Sequence, residues 1–149
     1  MSLKEQLTSD LKEAMRERDN VRRDTLRLVL AALHNAEIAA GGELDEAGVT
    51  DVLAKEAKRR RESIEEFRKA GRQDLVDKEE AELAVISSYL PQQLSREEIA
   101  EAARQAIQET GASGPKDLGK VMPVLMGRFR GRADGREVNE VVRELLGSS

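Results

Sequence analysis

The sequence predicts an all-helical protein, and three observations lead to that prediction. Aromatic residues make up only 2% of the 149 residues, whereas β-strands are enriched in aromatic and β-branched side chains. Apolar residues recur at helical spacing along most of the chain. Residues that favour helix starts and helix ends separate these periodic segments. We therefore expect four helices in an N-terminal part and three shorter helices in a C-terminal part.

The first two helices have recognisable ends. Ser2 and Glu5 have the spacing of a capping box, in which each side chain satisfies a backbone N–H at the helix start, so the first helix is expected to begin here. The second helix is expected over about residues 21–39, and Gly41-Gly42 ends it. The inward-facing residues of the pair are predicted to be Leu3, Leu7, Leu11, Ala14, Met15, Leu26, Val29, Leu30, Leu33 and Ala36.

The third and fourth helices are predicted from the same kinds of signal. The third begins near Asp45 or Thr50 and ends at Gly71, where a left-handed residue is required. The fourth spans about residues 74–89. Their predicted buried residues are Val49, Val52, Leu53, Ala57, Ile64, Phe67, Leu75, Leu83, Ile86 and Tyr89.

A break in the helical pattern divides the chain near Pro91. Proline donates no backbone hydrogen bond and disfavours helix at the preceding residue. Ser95 and Glu98 form a second capping box directly afterwards. We therefore predict an N-terminal helical domain over residues 1–92 and a C-terminal three-helix domain over residues 93–149.

Three helices are expected in the C-terminal part. The first covers about residues 96–110, and the second runs from Pro115, a favourable first helical residue, to about Phe129. Pro123 lies inside this second helix and predicts a kink or a split. The last helix runs from after Asp134 to about Leu146, with Val138, Val141, Val142, Leu145 and Leu146 on its buried face.

The composition excludes several kinds of site. The chain has no cysteine and one histidine, which excludes disulfides, thiolate catalysis, cysteine zinc sites and multi-histidine metal sites. That histidine, His34, lies on an apolar helix without a recognisable nucleophile beside it, so we interpret it as structural. We predict no catalytic residue, no metal site and no cofactor.

The predicted location follows from two further absences. The N-terminal residues contain no apolar run of the kind found in a signal peptide. No stretch approaches the roughly 18–20 apolar residues that span a bilayer. We therefore expect a cytoplasmic protein with no membrane partner.

Positive charge is concentrated in one segment of a chain whose net charge is −4. Residues 1–93 hold 16 basic and 20 acidic residues, and residues 94–149 hold 9 of each. Within the latter, residues 116–136 have a net charge of +4. The basic residues of this segment are Lys116, Lys120, Arg128, Arg130, Arg132 and Arg136.

Glycines alternate with these basic residues. Gly127, Gly131 and Gly135 are spaced by four, and small residues allow close approach of a phosphate backbone, to which guanidinium groups donate two hydrogen bonds. The pattern favours an RNA-binding segment formed by the six basic residues. The alternative interpretation is a loop of turn glycines with solvated arginines.

Three other charged patterns favour ordinary structure over chemistry. Residues 114–120 have the spacing of a phosphate-binding loop, but Val121 stands where that motif requires Ser or Thr, so we predict a turn between helices. Arg59-Arg60-Arg61 is followed by glutamates at pairing distance, which predicts a solvated, salt-bridged helix face. The acidic residues Glu79, Glu80 and Glu82 are likewise expected to form a hydrated face.

Several short motifs together resemble the GatB/YqeY family. The C-terminal part resembles the end of the B subunit of the glutamine-dependent amidotransferases that correct misacylated tRNA, and the N-terminal part resembles stand-alone YqeY proteins. The residues that carry the resemblance are Gly119-Lys120-Val121-Met122, Gly131–Val142, Arg23–Leu28, Ala36-Glu37, Arg61-Glu62-Ser63, Gly71–Leu75 and Tyr89–Leu94.

This resemblance implies a binding function. In the amidotransferase the tail domain helps to hold the tRNA, and the chemistry lies elsewhere. The resemblance therefore implies that the C-terminal part is a three-helix GatB/YqeY-type tail domain. It also implies that the whole chain is a non-catalytic accessory protein that binds tRNA or another RNA. A protein–protein adaptor is the first alternative, with a protein as the partner. The second alternative is that the protein is a component of a carbon–nitrogen ligase that uses glutamine as amide donor, a function that only the family resemblance implies.

Overall fold

A computed structural model describes residues 1–129 and 132–147, and these contain seven α-helices, one 3-10 turn and no β-strand. The all-helical prediction is confirmed. The helices are α1 (Leu3–Arg16), α2 (Asn20–Ala40), α3 (Glu46–Lys69), α4 (Gln73–Ser87), α5 (Arg96–Thr110), α6 (Leu118–Arg128) and α7 (Gly135–Leu145).

Local sequence signals account for most of the helix ends. Ser95 and Glu98 form the predicted reciprocal capping box at the start of α5. Gly41, Gly71 and Gly111 have φ angles of 76°, 71° and 71°, a left-handed conformation that costs glycine little because it has no Cβ. These glycines allow α2, α3 and α5 to end where the sequence predicts.

The segment before α6 differs from the single helix that we expected to begin at Pro115. Pro115–Asp117 form a 3-10 turn, and α6 starts only at Leu118 and continues through Pro123. The expected break in this helical segment therefore lies before α6 and not at Pro123. The Asp117 carboxylate accepts the backbone N–H of Ser113 at 2.8 Å, which stabilises the tight turn.

The chain divides into two compact units, Met1–Pro91 and Gln92–Ser149, which we call the N-terminal unit and the C-terminal unit. Each has its own apolar core. The N-terminal core consists of Leu7, Leu26, Val29, Leu33, Val49, Leu53, Ala57 and Ile86. The C-terminal core consists of Ile99, Ala103, Ala106, Val121, Leu125, Phe129, Val138, Val141, Val142 and Leu146.

One residue of the predicted core lies at the surface. Met15 is 43% exposed, whereas its neighbour Ala14 is fully buried. Successive helical residues point about 100° apart, so both cannot face the same core.

None of the helices in the described part of the chain has the combination of length and apolarity needed to cross a bilayer.

Tyr89 connects the end of the N-terminal unit to its first helix. Its hydroxyl donates a hydrogen bond to Asp10 Oδ2 at 2.6 Å. Burial, reinforced by Asp10, raises the pKa of Tyr89 to about 12. The folded state therefore favours the protonated phenol, and this contribution to stability is present below pH ~10 and lost as the pH rises through the folded pKa.

We expect Tyr89→Phe to lower the free energy of unfolding by about 1 kcal/mol at neutral pH, because it leaves the Asp10 carboxylate without its hydroxyl donor. The variant should also lose the alkaline decrease in stability. Urea denaturation at several pH values measures both effects. Since Tyr89 is the only tyrosine, ultraviolet absorbance titration reports its pKa directly, and a midpoint near 10 in the folded protein would contradict the assignment.

Candidate nucleic-acid interface

The exposed residues of α6 are two cations, two glycines and one proline. Lys116 lies in the turn before the helix, Lys120 in its first turn and Arg128 at its end, and all three are exposed. Lys120 and Arg128 are eight residues apart, about 12 Å along the axis. Residues 118–128 contain no acidic residue. The other exposed residues of this face are Gly119, Pro123 and Gly127.

Lys120 and Arg128 both have ion-pair partners. Lys120 Nζ lies 3.4 Å from Asp117 Oδ1, and Arg128 Nη2 lies 2.6 Å from Glu109 Oε2. The Arg128 and Glu109 side chains are 44% and 56% exposed. Exposed pairs contribute little stability, because water screens the attraction and the side chains lose freedom. A phosphate group can therefore compete with the Glu109 carboxylate for Arg128.

Asp117 belongs to the turn and not to the exposed charged face. The Ser113 backbone N–H, and to a lesser extent Lys120, lower the pKa of its carboxyl group from the usual value. Asp117 is only 9% exposed. Its ionised carboxylate therefore stabilises the turn that contains Lys116 and precedes Lys120.

The remaining basic residues of the predicted segment have other positions. Arg132 Nε donates to the backbone carbonyl of Gln92 at 3.2 Å, and the Arg132 carbonyl accepts the Leu94 backbone N–H at 2.9 Å. Arg132 thus holds the start of the C-terminal unit. Arg136 is exposed in the first turn of α7, whereas Arg130 lies outside the described residues.

The predicted glycine pattern separates into different roles. A Cβ added at Gly119 or Gly127 would meet no other atom within 4 Å, so the α6 backbone is open there. A Cβ at Gly135 would lie 3.6 Å from Met126 Cε, which indicates packing between α7 and α6. Gly131 lies outside the described residues. Of the two predicted glycines in the described residues, Gly127 is therefore open to an approaching ligand and Gly135 is not, and Gly119 is open as well.

The solvated-face prediction for the three consecutive arginines is wrong at Arg60. This residue is 8% exposed, and its Nη1 donates to the Glu56 carbonyl at 3.1 Å and to Glu56 Oε1 at 3.4 Å. Its Nη2 donates to Glu82 Oε1 at 3.3 Å. Glu82 is therefore also not part of a hydrated face. By contrast, Arg59 is largely exposed and pairs with Glu56 in the same helix.

Helical spacing could have revealed the buried position of Arg60. It follows Leu53 by seven residues and Ala57 by three, and it precedes Ile64 by four, which places it on the apolar stripe of α3.

The phosphate-loop-like segment, residues 114–120, forms the predicted turn between helices. Nowhere in residues 1–129 and 132–147 do three His, Asp or Glu side chains gather as a metal site would require.

The chain is similar to curated fungal proteins named "Altered inheritance of mitochondria protein 41, mitochondrial". The protein of Pyrenophora tritici-repentis is 34% identical over 145 residues, which is 95% of this chain and 80% of the relative. That of Lachancea thermotolerans is 45% identical over 58% of this chain and 46% of the relative. That of Kluyveromyces lactis is 41% identical over 73% of this chain and 60% of the relative. The matches thus span about half to four-fifths of these relatives.

These names contradict the cytoplasmic location expected from the sequence, because the relatives are called mitochondrial. The expectation rested on the absence of a secretory signal and of an apolar span. Those features report on secretion and membrane insertion, whereas mitochondrial import uses amphipathic, arginine-rich segments. The observations behind the expectation therefore do not bear on mitochondrial location.

A family model described as "Yqey-like protein" matches residues 4–146, which is nearly the whole chain. The match includes both units and the basic face of α6. The resemblance to stand-alone YqeY proteins is therefore confirmed, and the chain belongs to the YqeY-like protein family.

Proposed function

We propose that this protein is a non-catalytic accessory protein that binds RNA, with tRNA as the RNA to test first. The C-terminal unit acts as a three-helix tail-type binding domain, and the N-terminal unit is a separate four-helix domain. The observation that carries the proposal is the exposed face of α6, on which Lys116, Lys120 and Arg128 lie without an acidic residue among residues 118–128. The resemblance to an amidotransferase tail domain supports the choice of tRNA.

The chemistry of this face suits a phosphate backbone. Lysine ammonium and arginine guanidinium groups form charge-assisted hydrogen bonds with phosphate oxygens. Their binding releases counterions from the nucleic acid, which favours association at low salt. The existing partners of Lys120 and Arg128 are carboxylates of the same unit, so phosphate replaces one anionic partner with another.

The open backbone on this face favours a large polyanion over a small anion. Gly119 and Gly127 have no side chain, and nothing within 4 Å would contact a Cβ at either position. An extended phosphate backbone can therefore lie along α6 and reach cations that are spread over more than two helical turns. A single small anion would contact only one of these cations at a time.

The salt dependence of tRNA binding tests this proposal. We expect the full chain to bind bulk tRNA, with a log–log slope of affinity against salt of about −2 to −4, if roughly three to five phosphates are neutralised. Fluorescence anisotropy with labelled tRNA over a series of potassium chloride concentrations measures the slope. Absence of binding at low salt, or a slope near zero, would contradict the proposal.

A protein–protein adaptor is the second candidate, and one observation favours it. Val21 and Leu28 of α2 are 50% and 51% exposed, and large apolar residues exposed near each other are typical of docking surfaces. Burial of apolar surface depends weakly on salt, so partner binding through α2 should persist at a salt concentration that abolishes binding to tRNA. Pull-down experiments at two salt concentrations distinguish the two functions.

A further inference from the structure

A second candidate site lies in the N-terminal unit, where α2, α3 and α4 surround a cleft of about 470 Å³. This volume falls in the range typical of small-molecule sites. The side of the cleft formed by α2 is mostly apolar and small, with Leu28, Ala31 and Ala32. The charged side chains that line it, contributed by α3 and α4, are Glu56, Arg59, Arg60, Lys78, Glu79 and Glu82.

The buried guanidinium of Arg60 indicates that the cleft is a built site. The Arg60 side chain is 10% exposed, and both of its Nη atoms donate to carboxylates, of Glu56 and Glu82, at 3.3–3.4 Å. Its Nε is buried and has no hydrogen-bond partner in the described part of the chain. The two carboxylates therefore hold the guanidinium in a fixed position at the wall of the cleft.

The balance of charges selects the kind of ligand. Three cationic and three anionic side chains line the cleft, so its formal charge is zero. A phosphate would meet three carboxylates, and a simple cation would meet three basic groups. A small molecule that carries one carboxylate and one ammonium finds an opposite charge for each. The apolar side formed by Leu28, Ala31 and Ala32 offers a contact for a hydrocarbon group.

We propose that this cleft binds a free α-amino acid with an apolar side chain. The ligand carboxylate pairs with the basic groups of the cleft, and its ammonium pairs with the glutamates. The ligand side chain lies against α2. This site is separate from the RNA-binding face, because all of its residues belong to the N-terminal unit.

Titration of the full chain with leucine and methionine tests the proposal. We expect saturable binding with a dissociation constant in the millimolar range or tighter, followed by isothermal titration calorimetry or amide chemical shifts of α2, α3 and α4. N-acetyl-leucine lacks the ammonium and leucinamide lacks the carboxylate. Each should bind at least about tenfold more weakly, because each lacks one of the two charged groups that pair with side chains of the cleft.

Two exposed cations of the cleft provide variants that preserve the fold. Arg59→Gln and Lys78→Gln should each weaken leucine binding by about fivefold or more, since charge-assisted hydrogen bonds are lost. Arg68→Gln is the matched control, because Arg68 lies on the same helix, is 58% exposed and does not line the cleft. It should bind leucine as the unaltered protein does.

Three results would overturn the proposal. The first is that neither leucine nor methionine binds at about 10 mM. The second is that N-acetyl-leucine and leucinamide bind as tightly as leucine. The third is that Arg59→Gln and Lys78→Gln bind leucine as tightly as Arg68→Gln does, while circular dichroism shows all three variants to be folded.

Discussion

Replacement of Lys116, Lys120 and Arg128 together by glutamine is expected to weaken tRNA binding at least about tenfold at moderate salt. The three substitutions remove the cations of the exposed α6 face without introducing repulsion near the buried carboxylate of Asp117. Fewer counterions are then released, so the magnitude of the log–log salt slope should also fall, by about 2. Fluorescence anisotropy measures both quantities, and circular dichroism checks that the helices persist.

A triple substitution in the N-terminal unit is the matched control. Arg68, Lys69 and Arg72 have side chains that are 58%, 72% and 56% exposed, and their replacement by glutamine changes the net charge by the same amount. We expect this variant to bind tRNA almost as the unaltered protein does. An equal loss in both variants would show that only net charge matters, and no loss in the α6 variant would exclude this face as the interface.

The three consecutive arginines, Arg59, Arg60 and Arg61, are unsuitable as a control. Arg60 is buried between Glu56 and Glu82, so its replacement changes the stability of the N-terminal unit as well as its charge. A loss of tRNA binding in such a variant would have two explanations. The exposed triple at the end of α3 avoids this ambiguity.

Arg60→Met is expected to lower the free energy of unfolding by about 3 kcal/mol, because it leaves the carboxylates of Glu56 and Glu82 buried without their shared cation. The Glu56 and Glu82 side chains are 10% and 12% exposed, so water does not fully replace the lost hydrogen bonds. Urea denaturation followed by circular dichroism measures the change. Helix content at zero denaturant should remain close to that of the unaltered protein.

Two companion variants separate the buried network from a general effect of substitution in α3. Arg59→Met, at a position where the side chain is 74% exposed, should change the free energy of unfolding by no more than about 0.5 kcal/mol. Addition of Glu56→Gln and Glu82→Gln to Arg60→Met should restore part of the lost stability, since neutral amides are less costly to bury than charges. Equal stabilities of Arg60→Met and Arg59→Met would refute the role of the network.

The helices were largely predictable from the sequence because their ends depend on nearby residues. Ser95 and Glu98 are three positions apart, and the side chain of each accepts the backbone N–H of the other at the start of α5. Gly41 and Gly71 supply left-handed residues within one turn of the helix ends. The start of α6 was predicted less well, because the turn before it depends on a hydrogen bond from Ser113 to Asp117, which composition and periodicity do not reveal.

The candidate RNA interface was predictable in composition and only partly in geometry. The sequence identified all six basic residues between 116 and 136. In the structure Lys116, Lys120 and Arg128 are exposed in α6 and the turn before it, whereas Arg132 donates a hydrogen bond to the Gln92 carbonyl, 40 residues away. Which cations share a face depends on where the turn before α6 ends, and this is a property of the folded backbone.

By itself the sequence determined the helical class, the positions of most helix ends and the location of the basic segment, because these depend on residues within a few positions of one another. Only the tertiary structure decided the partners of the charged side chains. Arg60 and Glu82 are 22 residues apart and meet because α3 packs against α4. Because of that packing, the middle residue of the three consecutive arginines is buried beside a cleft and is not part of a solvated face. Burial, and not distance along the sequence, sets the environment of a charge.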